Sequence, residues 1–149
     1  MSLYDLIGPE GIVITSESNL SVDSAIDLAC STLISNDKVE PRYVEAIKQQ
    51  HKAIGPYYVL APKIAMPHAR PEDGVNESAL QLTIFQSGVN FESEDNGDVY
   101  LSITLAAKDS NSHINTIMAL SELFQNDDDI NALINAHEKA NIIEVLKRY

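Results

Sequence analysis

Residues 99–107 form the most apolar run of the chain, Val99-Tyr100-Leu101-Ser102-Ile103-Thr104-Leu105-Ala106-Ala107, with no charged side chain among them. Nine residues rich in β-branched and aromatic types fit a strand at the centre of a sheet, apolar toward both faces. Such a strand must be covered on both sides, which calls for a layered fold. The preceding strand, around Leu80, Leu82, Ile84 and Phe85, ends near Ser87-Gly88. Only an acidic loop over residues 91–98, with Asn96-Gly97, joins the two strands. A connection without a crossover helix makes that pair antiparallel.

The covering helices are legible from period and punctuation. Residues 3–14 hold an opening helical turn and a short strand, Ile12-Val13-Ile14. Ser21 suits an N-cap and Asp23 the first turn, and Val22, Ala25, Ile26, Ala29 and Leu33 then recur at helical spacing to about Ile34. Pro41 opens a second helix with Val44, Ile47, His51 and Ile54 on one face, and Gly55-Pro56 ends it. His51 beside that apolar stripe reads as a bonded residue at the edge of the core. Tyr57-Tyr58-Val59-Leu60 and Ile64-Ala65-Met66 read as short strands interrupted by Pro62, and Pro71-Glu72-Asp73-Gly74 as a turn.

Beyond the apolar run, Ser110-Asn111-Ser112 caps a helix whose stripe is Ile114, Ile117, Met118, Leu120, Leu123 and Phe124. Asp127-Asp128-Asp129 begins a further short helix, where consecutive carboxylates serve the helix dipole better than a metal. His137 lies in an exposed connection, and residues 142–146 form a last short helix. The expected fold class is therefore α/β, one domain over residues 1–149, a three-layer α/β/α sandwich with a mixed central sheet.

Asp plus Glu number 22 against 10 Lys plus Arg, a net charge of −12. That excess argues against a nucleic-acid partner and against an anionic membrane surface, and suits a protein partner with a basic face. It serves solubility equally well. The single cysteine, Cys30, rules out an internal disulfide and sits in an apolar helical pattern as a small core residue. The start, Met1-Ser2-Leu3-Tyr4-Asp5, lacks a basic segment and a long apolar run, so a cytoplasmic protein is expected. Phosphate-binding glycine loops, zinc-type Cys/His spacing and the hydrolase serine elbow are absent, so neither cofactor nor metal is expected.

Two histidines at element ends remain. His68 stands between Pro67 and Ala69 in Ala61-Pro62-Lys63-Ile64-Ala65-Met66-Pro67-His68-Ala69-Arg70, with Arg70 two residues on. Proline stiffens the exit from the strand, so the imidazole is presented beside small, rigid neighbours. These ten residues alone fit a turn histidine without a chemical role as well as a nucleophile. His113 falls in the first turn of a helix, where free backbone N–H groups favour anions.

The ten residues, with Gly55-Pro56-Tyr57-Tyr58-Val59-Leu60 before them and Ser112-His113-Ile114 later, resemble the fructose–mannitol type IIA components of the bacterial sugar phosphotransferase system (PTS). The ascorbate-type IIA branch is the most similar. The resemblance implies that His68 accepts a phosphoryl group from the carrier protein HPr and that His113 sits next to it. It also implies transfer to a cysteine of a IIB component, with a membrane IIC component reached only indirectly. A regulatory IIA-like module and a degenerate binding domain are the alternatives. Lys63 stands where many relatives carry glycine, either as a cation near the site or on the solvent side. The arginine usual on the preceding helix of the mannitol branch is missing among Gln49, Gln50, His51 and Lys52, with Lys52 a candidate to replace its charge. Glu72 and Asp73 are expected among the carboxylates rimming the site.

Overall fold

The computed structural model describes residues 2–109, 111 and 113–149. Helix α1 (Leu3–Ile7) leads through a 3₁₀ turn to strand β1 (Ile12–Thr15), and helices α2 (Val22–Ser35) and α3 (Pro41–Ile54) follow. Next come β2 (Val59–Ala61), β3 (Lys63–Ala65), β4 (Ala79–Val89) and β5 (Val99–Ala106). Helices α4 (Ile114–Phe124), α5 (Asp127–Ile134) and α6 (Lys139–Leu146) close the chain.

The five strands form one mixed sheet in the order β1-β4-β5-β3-β2, and the uncharged run is its middle strand. Strands β4 and β5 pair antiparallel, as the helix-free loop between them requires, whereas β1–β4 and β3–β5 pair parallel. Alternation along the two long strands divides the core. Leu80, Leu82, Ile84, Leu101, Ile103 and Leu105 face a cluster shared with α1, α4, α5 and α6. The other face meets α2 and α3 through Ala29, Cys30, Leu33, Tyr43 and Ile47. Helices on both faces of a mixed sheet make the three-layer sandwich.

The face toward α2 also carries Gln81, Thr83, Ser102 and Thr104, all fully buried. Buried polar groups need partners, and α2 supplies them for Gln81 and Thr104, whereas Thr83 accepts from the Gln81 amide at 2.9 Å and Ser102 Oγ has none among the described residues. The Gln81 amide accepts from Thr32 N at 2.9 Å and donates to Leu28 O at 2.7 Å. It thus bridges an i, i−4 pair of the helix backbone. Thr104 Oγ1 donates to Ala29 O at 2.6 Å. These bonds fix the height of α2 above the sheet.

Several boundaries differ from expectation. The two tyrosines form a turn, so β2 begins at Val59. It pairs antiparallel with β3, and Lys63 takes φ +74° in the tight reversal after Pro62. Strand β4 runs on to Val89 through an irregularity at Gly88, φ +76°, where a Cβ would come within 2.9 Å of the Tyr100 ring. Helix α6 starts at Lys139, three residues before the expected start. Of the cap expected at Ser110-Asn111-Ser112, both serines lie outside the described residues; α4 begins after His113 in the N-cap position. Asn126 caps α5 by accepting from Asp129 N, and the three aspartates lie in its first turn. Asp129 also accepts from Arg148 at 2.8 Å and from the Tyr149 hydroxyl, tying the last residues to α5.

Candidate functional site

His68 leaves the sheet from the end of β3, three residues beyond Ala65. The segment is fastened to its neighbours atom by atom. Met66 N donates to Tyr58 O at 2.8 Å, and Leu105 N donates to Pro67 O at 3.0 Å. The second bond extends the parallel β3–β5 pairing past its last formal residue, which holds even a donor-less proline in register. Ala69 N donates to the Tyr43 hydroxyl at 3.0 Å, and that hydroxyl donates to Leu105 O at 2.7 Å. Tyr43 is fully buried, so one phenol from α3 staples the residue after His68 to the middle strand.

The imidazole itself is half-buried. Its Nδ1 lies 2.8 Å from Met66 O. A carbonyl only accepts, so Nδ1 carries the proton, and in the neutral ring Nε2 holds a free lone pair. The Tyr57 hydroxyl donates to His68 O, and its ring meets the imidazole edge to face with centroids 5.4 Å apart at 82°. Burial pushes the Tyr57 hydroxyl up to about 12 and raises that of Tyr43 further. Both phenols therefore keep their protons, and their donated bonds, at neutral pH. Ring orientation and tautomer are thus set by fixed neighbours.

Beside His68 opens a cleft of about 230 Å³ lined by Ala46, Gln50, Tyr57, Ala69, Arg70 and Asp73. The loop that carries Arg70 is closed by Arg70 N donating to Asp73 Oδ2 at 3.0 Å and Asp73 N donating to Arg70 O at 2.9 Å. Lys52 and Lys63 do not line this cleft. Lys63 is exposed at the far end of β3, beside Phe124 and Asp127, so it occupies the solvent side.

His113 follows the same end of the sheet, because β5 runs parallel to β3. Its Nδ1 lies 3.2 Å from Asp109 O, so this nitrogen also carries a proton. It borders a smaller cavity of about 20 Å³ with Leu6, Leu105, Ala107 and Thr116. Among the described residues no hydrogen bond or ring contact joins His68 and His113. His51 is buried, with Nε2 at 2.7 Å from Glu92 and Nδ1 at 2.9 Å from the Tyr58 hydroxyl, the bonded core-edge residue its stripe implies. His137 is exposed. Cys30 is fully buried, and burial raises its thiol to about 12, which keeps it inert at neutral pH.

Sequence reasoning did not identify Tyr43, because a tyrosine on an apolar helix face reads as core. It did not place Gln50 in the cleft either; the only signal was its position one residue before His51 near the end of α3. Among the described residues no group of three or more His, Cys, Asp or Glu could hold a metal ion, and no helix is long and apolar enough to cross a membrane.

Residues 6–149 match the family described as the phosphoenolpyruvate-dependent sugar phosphotransferase system, EIIA 2. The chain belongs to this family. It is 36% identical over 140 residues to a mannitol-specific cryptic phosphotransferase enzyme IIA component of Escherichia coli K12, covering 94% of this chain and 95% of the relative. A solution structure of the mannitol-specific cryptic IIA enzyme from E. coli superimposes with a TM-score of 0.91 at 34% identity over the full length of both chains. An ascorbate-specific PTS EIIA component of Shigella flexneri is 32% identical over 149 residues, covering 99% of this chain and 97% of that one. The IIA enzyme for mannitol of E. coli, solved in complex with phosphorylated IIB, superimposes with a TM-score of 0.81 at 26% identity, covering 95% and 97% of the two chains. This protein is thus a IIA component of the sugar phosphotransferase system.

Proposed function

We propose that this IIA component is a phosphocarrier that takes a phosphoryl group from phospho-HPr onto His68 Nε2 and passes it to a IIB cysteine, in the uptake of ascorbate or a related sugar. The observation that carries the reading is the bond from Nδ1–H to Met66 O at 2.8 Å. It commits one ring nitrogen as a donor and leaves the other as a nucleophile, without any base to activate it. The cleft is open to a protein partner, and Tyr57 and Tyr43 hold the loop so that little reorganisation is needed on docking.

His113 acts as a second donor to the transferring group. Its Nδ1–H is engaged by Asp109 O, so it donates through Nε2–H only as an imidazolium. On the outer face of α4, Ile114 and Met118 are 55% and 59% exposed one turn apart, an apolar contact beside His113 for the partner proteins. The relative solved with phosphorylated IIB supports a IIB partner for this chain.

Incubation with phosphoenolpyruvate, enzyme I and HPr, followed by mass mapping under alkaline conditions, tests the reading. One acid-labile phosphate on His68, lost in His68→Ala, is expected. Label retained in that variant, or found on His113, would sink the assignment.

A further inference from the structure

We infer that Arg70 is a further catalytic residue, its guanidinium holding the oxygens of the phosphoryl group carried on His68 Nε2. The inference rests on the phosphocarrier reading and extends it to a group that reading leaves without a role. A phosphoryl group brings negative charge spread over three oxygens, which needs donors or a cation within the cleft. Most donors there are already committed. Nδ1–H of His68 is bound to Met66 O, the Tyr57 hydroxyl to His68 O, and the Tyr43 hydroxyl to Leu105 O. Asp73 adds a negative charge to the same lining. His113, the donor assigned above, supplies one N–H at most and lies outside this lining.

Arg70 remains. It lines the cleft with His68 and is the sole Lys or Arg to do so. Among the described residues its guanidinium has no hydrogen bond or ion pair, whereas its backbone is fixed at both N–H and carbonyl by Asp73. An anchored backbone with an uncommitted, exposed fork suits a group that must meet an arriving anion. Arginine presents paired donors matched to phosphoryl oxygens, and the Gln50 amide can add one neutral donor.

The step balances without moving a proton. The lone pair of His68 Nε2 forms the new N–P bond. The donor's N–P bond breaks and its electron pair returns to the donor imidazole. Nδ1–H stays on Met66 O, and Arg70 stays charged throughout. Transfer onward to a thiolate repeats the exchange, with the N–P pair returning to His68.

Rapid-quench measurements with phospho-HPr on the whole protein test the inference, using R70Q and, to guard against a folding defect, R70M, which keeps the apolar stem. The expected result is a saturating transfer rate lowered about 10²-fold, with the half-saturating HPr concentration and the melting temperature unchanged. R70K recovers part of the loss, and added guanidinium ion restores part of it in R70Q. Wild-type rates in R70Q or R70M, or a defect confined to half-saturation, would overturn the role of Arg70 while His68 remained phosphorylated. Failure of the wild type to take phosphate on His68 would instead remove the phosphocarrier reading and this inference with it.

Discussion

A lysine with φ +74° at position 63 adopts a backbone conformation that L-residues with a Cβ resist by about 1–2 kcal/mol. The turn after Pro62 demands it, because β2 and β3 must reverse within two residues. A glycine meets the same demand without strain. Lys63→Gly should therefore raise stability, by roughly 1 kcal/mol at most once glycine's greater unfolded-state entropy is set against the relieved strain. Chemical denaturation reads the change, and phosphotransfer should be unaffected because Lys63 lies outside the His68 cleft. A destabilised variant would show that Lys63 makes a compensating contact. The turn was not legible from sequence for this reason: neither proline nor lysine announces a left-handed residue, so the hairpin looked like two separate strands. At His68 the stiff Pro67 setting was legible, but the bond to Met66 O that places the proton on Nδ1 was not.

Among the elements, α3 and β5 determine the geometry of the site through one phenol. The Tyr43 hydroxyl accepts from Ala69 N and donates to Leu105 O, both inside the protein. Tyr43→Phe keeps the ring and leaves a backbone N–H and a carbonyl unpaired, a loss of about 1–3 kcal/mol. The variant should also transfer phosphate more slowly than its stability alone implies, since Ala69 loosens beside His68. Unchanged melting temperature and unchanged transfer would show that water replaces the hydroxyl at no loss. The role of β5 as the middle strand was readable because nine uncharged, β-forming residues tolerate no solvent-facing side. The staple was not, because the pairing of Tyr43 with a loop 26 residues on is a property of the packed layers. Arg70 stood out in the sequence as a nearby cation, but its place in the lining, with Lys52 and Lys63 outside it, follows from how β3 leaves the sheet.

For the whole molecule, charge and burial give two pH- and salt-dependent expectations. Burial raises Tyr57 to about 12 from an ordinary value of 10.0, and Cys30 to about 12 from 9.0. The unfolded chain therefore loses these protons first as pH rises, so the native state binds more protons and stability falls. The contribution is intact below pH 9 and is lost through the window up to about 12. Denaturation midpoints should decline over that range, and less steeply in Tyr57→Phe; a flat profile would contradict the buried, protonated state of both groups. At −12 the protein should also attract a basic partner from a distance. Phosphorylation by phospho-HPr should slow with added salt through slower association, and Glu72→Lys on the exposed loop should weaken that dependence. Asp73 is unsuitable for the same test, because its carboxylate closes the loop by accepting from Arg70 N. Rates independent of ionic strength would show that steering has no part.

The proposed phosphocarrier chemistry depends on which nitrogen of which histidine takes the phosphoryl group. Long-range ¹H–¹⁵N NMR of the ¹⁵N-labelled protein, before and after phosphorylation by phosphoenolpyruvate, enzyme I and HPr, reads this directly. Before the reaction the His68 ring should show a protonated Nδ1 and an unprotonated Nε2. Afterwards the phosphorus coupling should appear on His68 Nε2, with Nδ1 still bound to the Met66 carbonyl. Coupling on Nδ1, or on any other histidine, would contradict it.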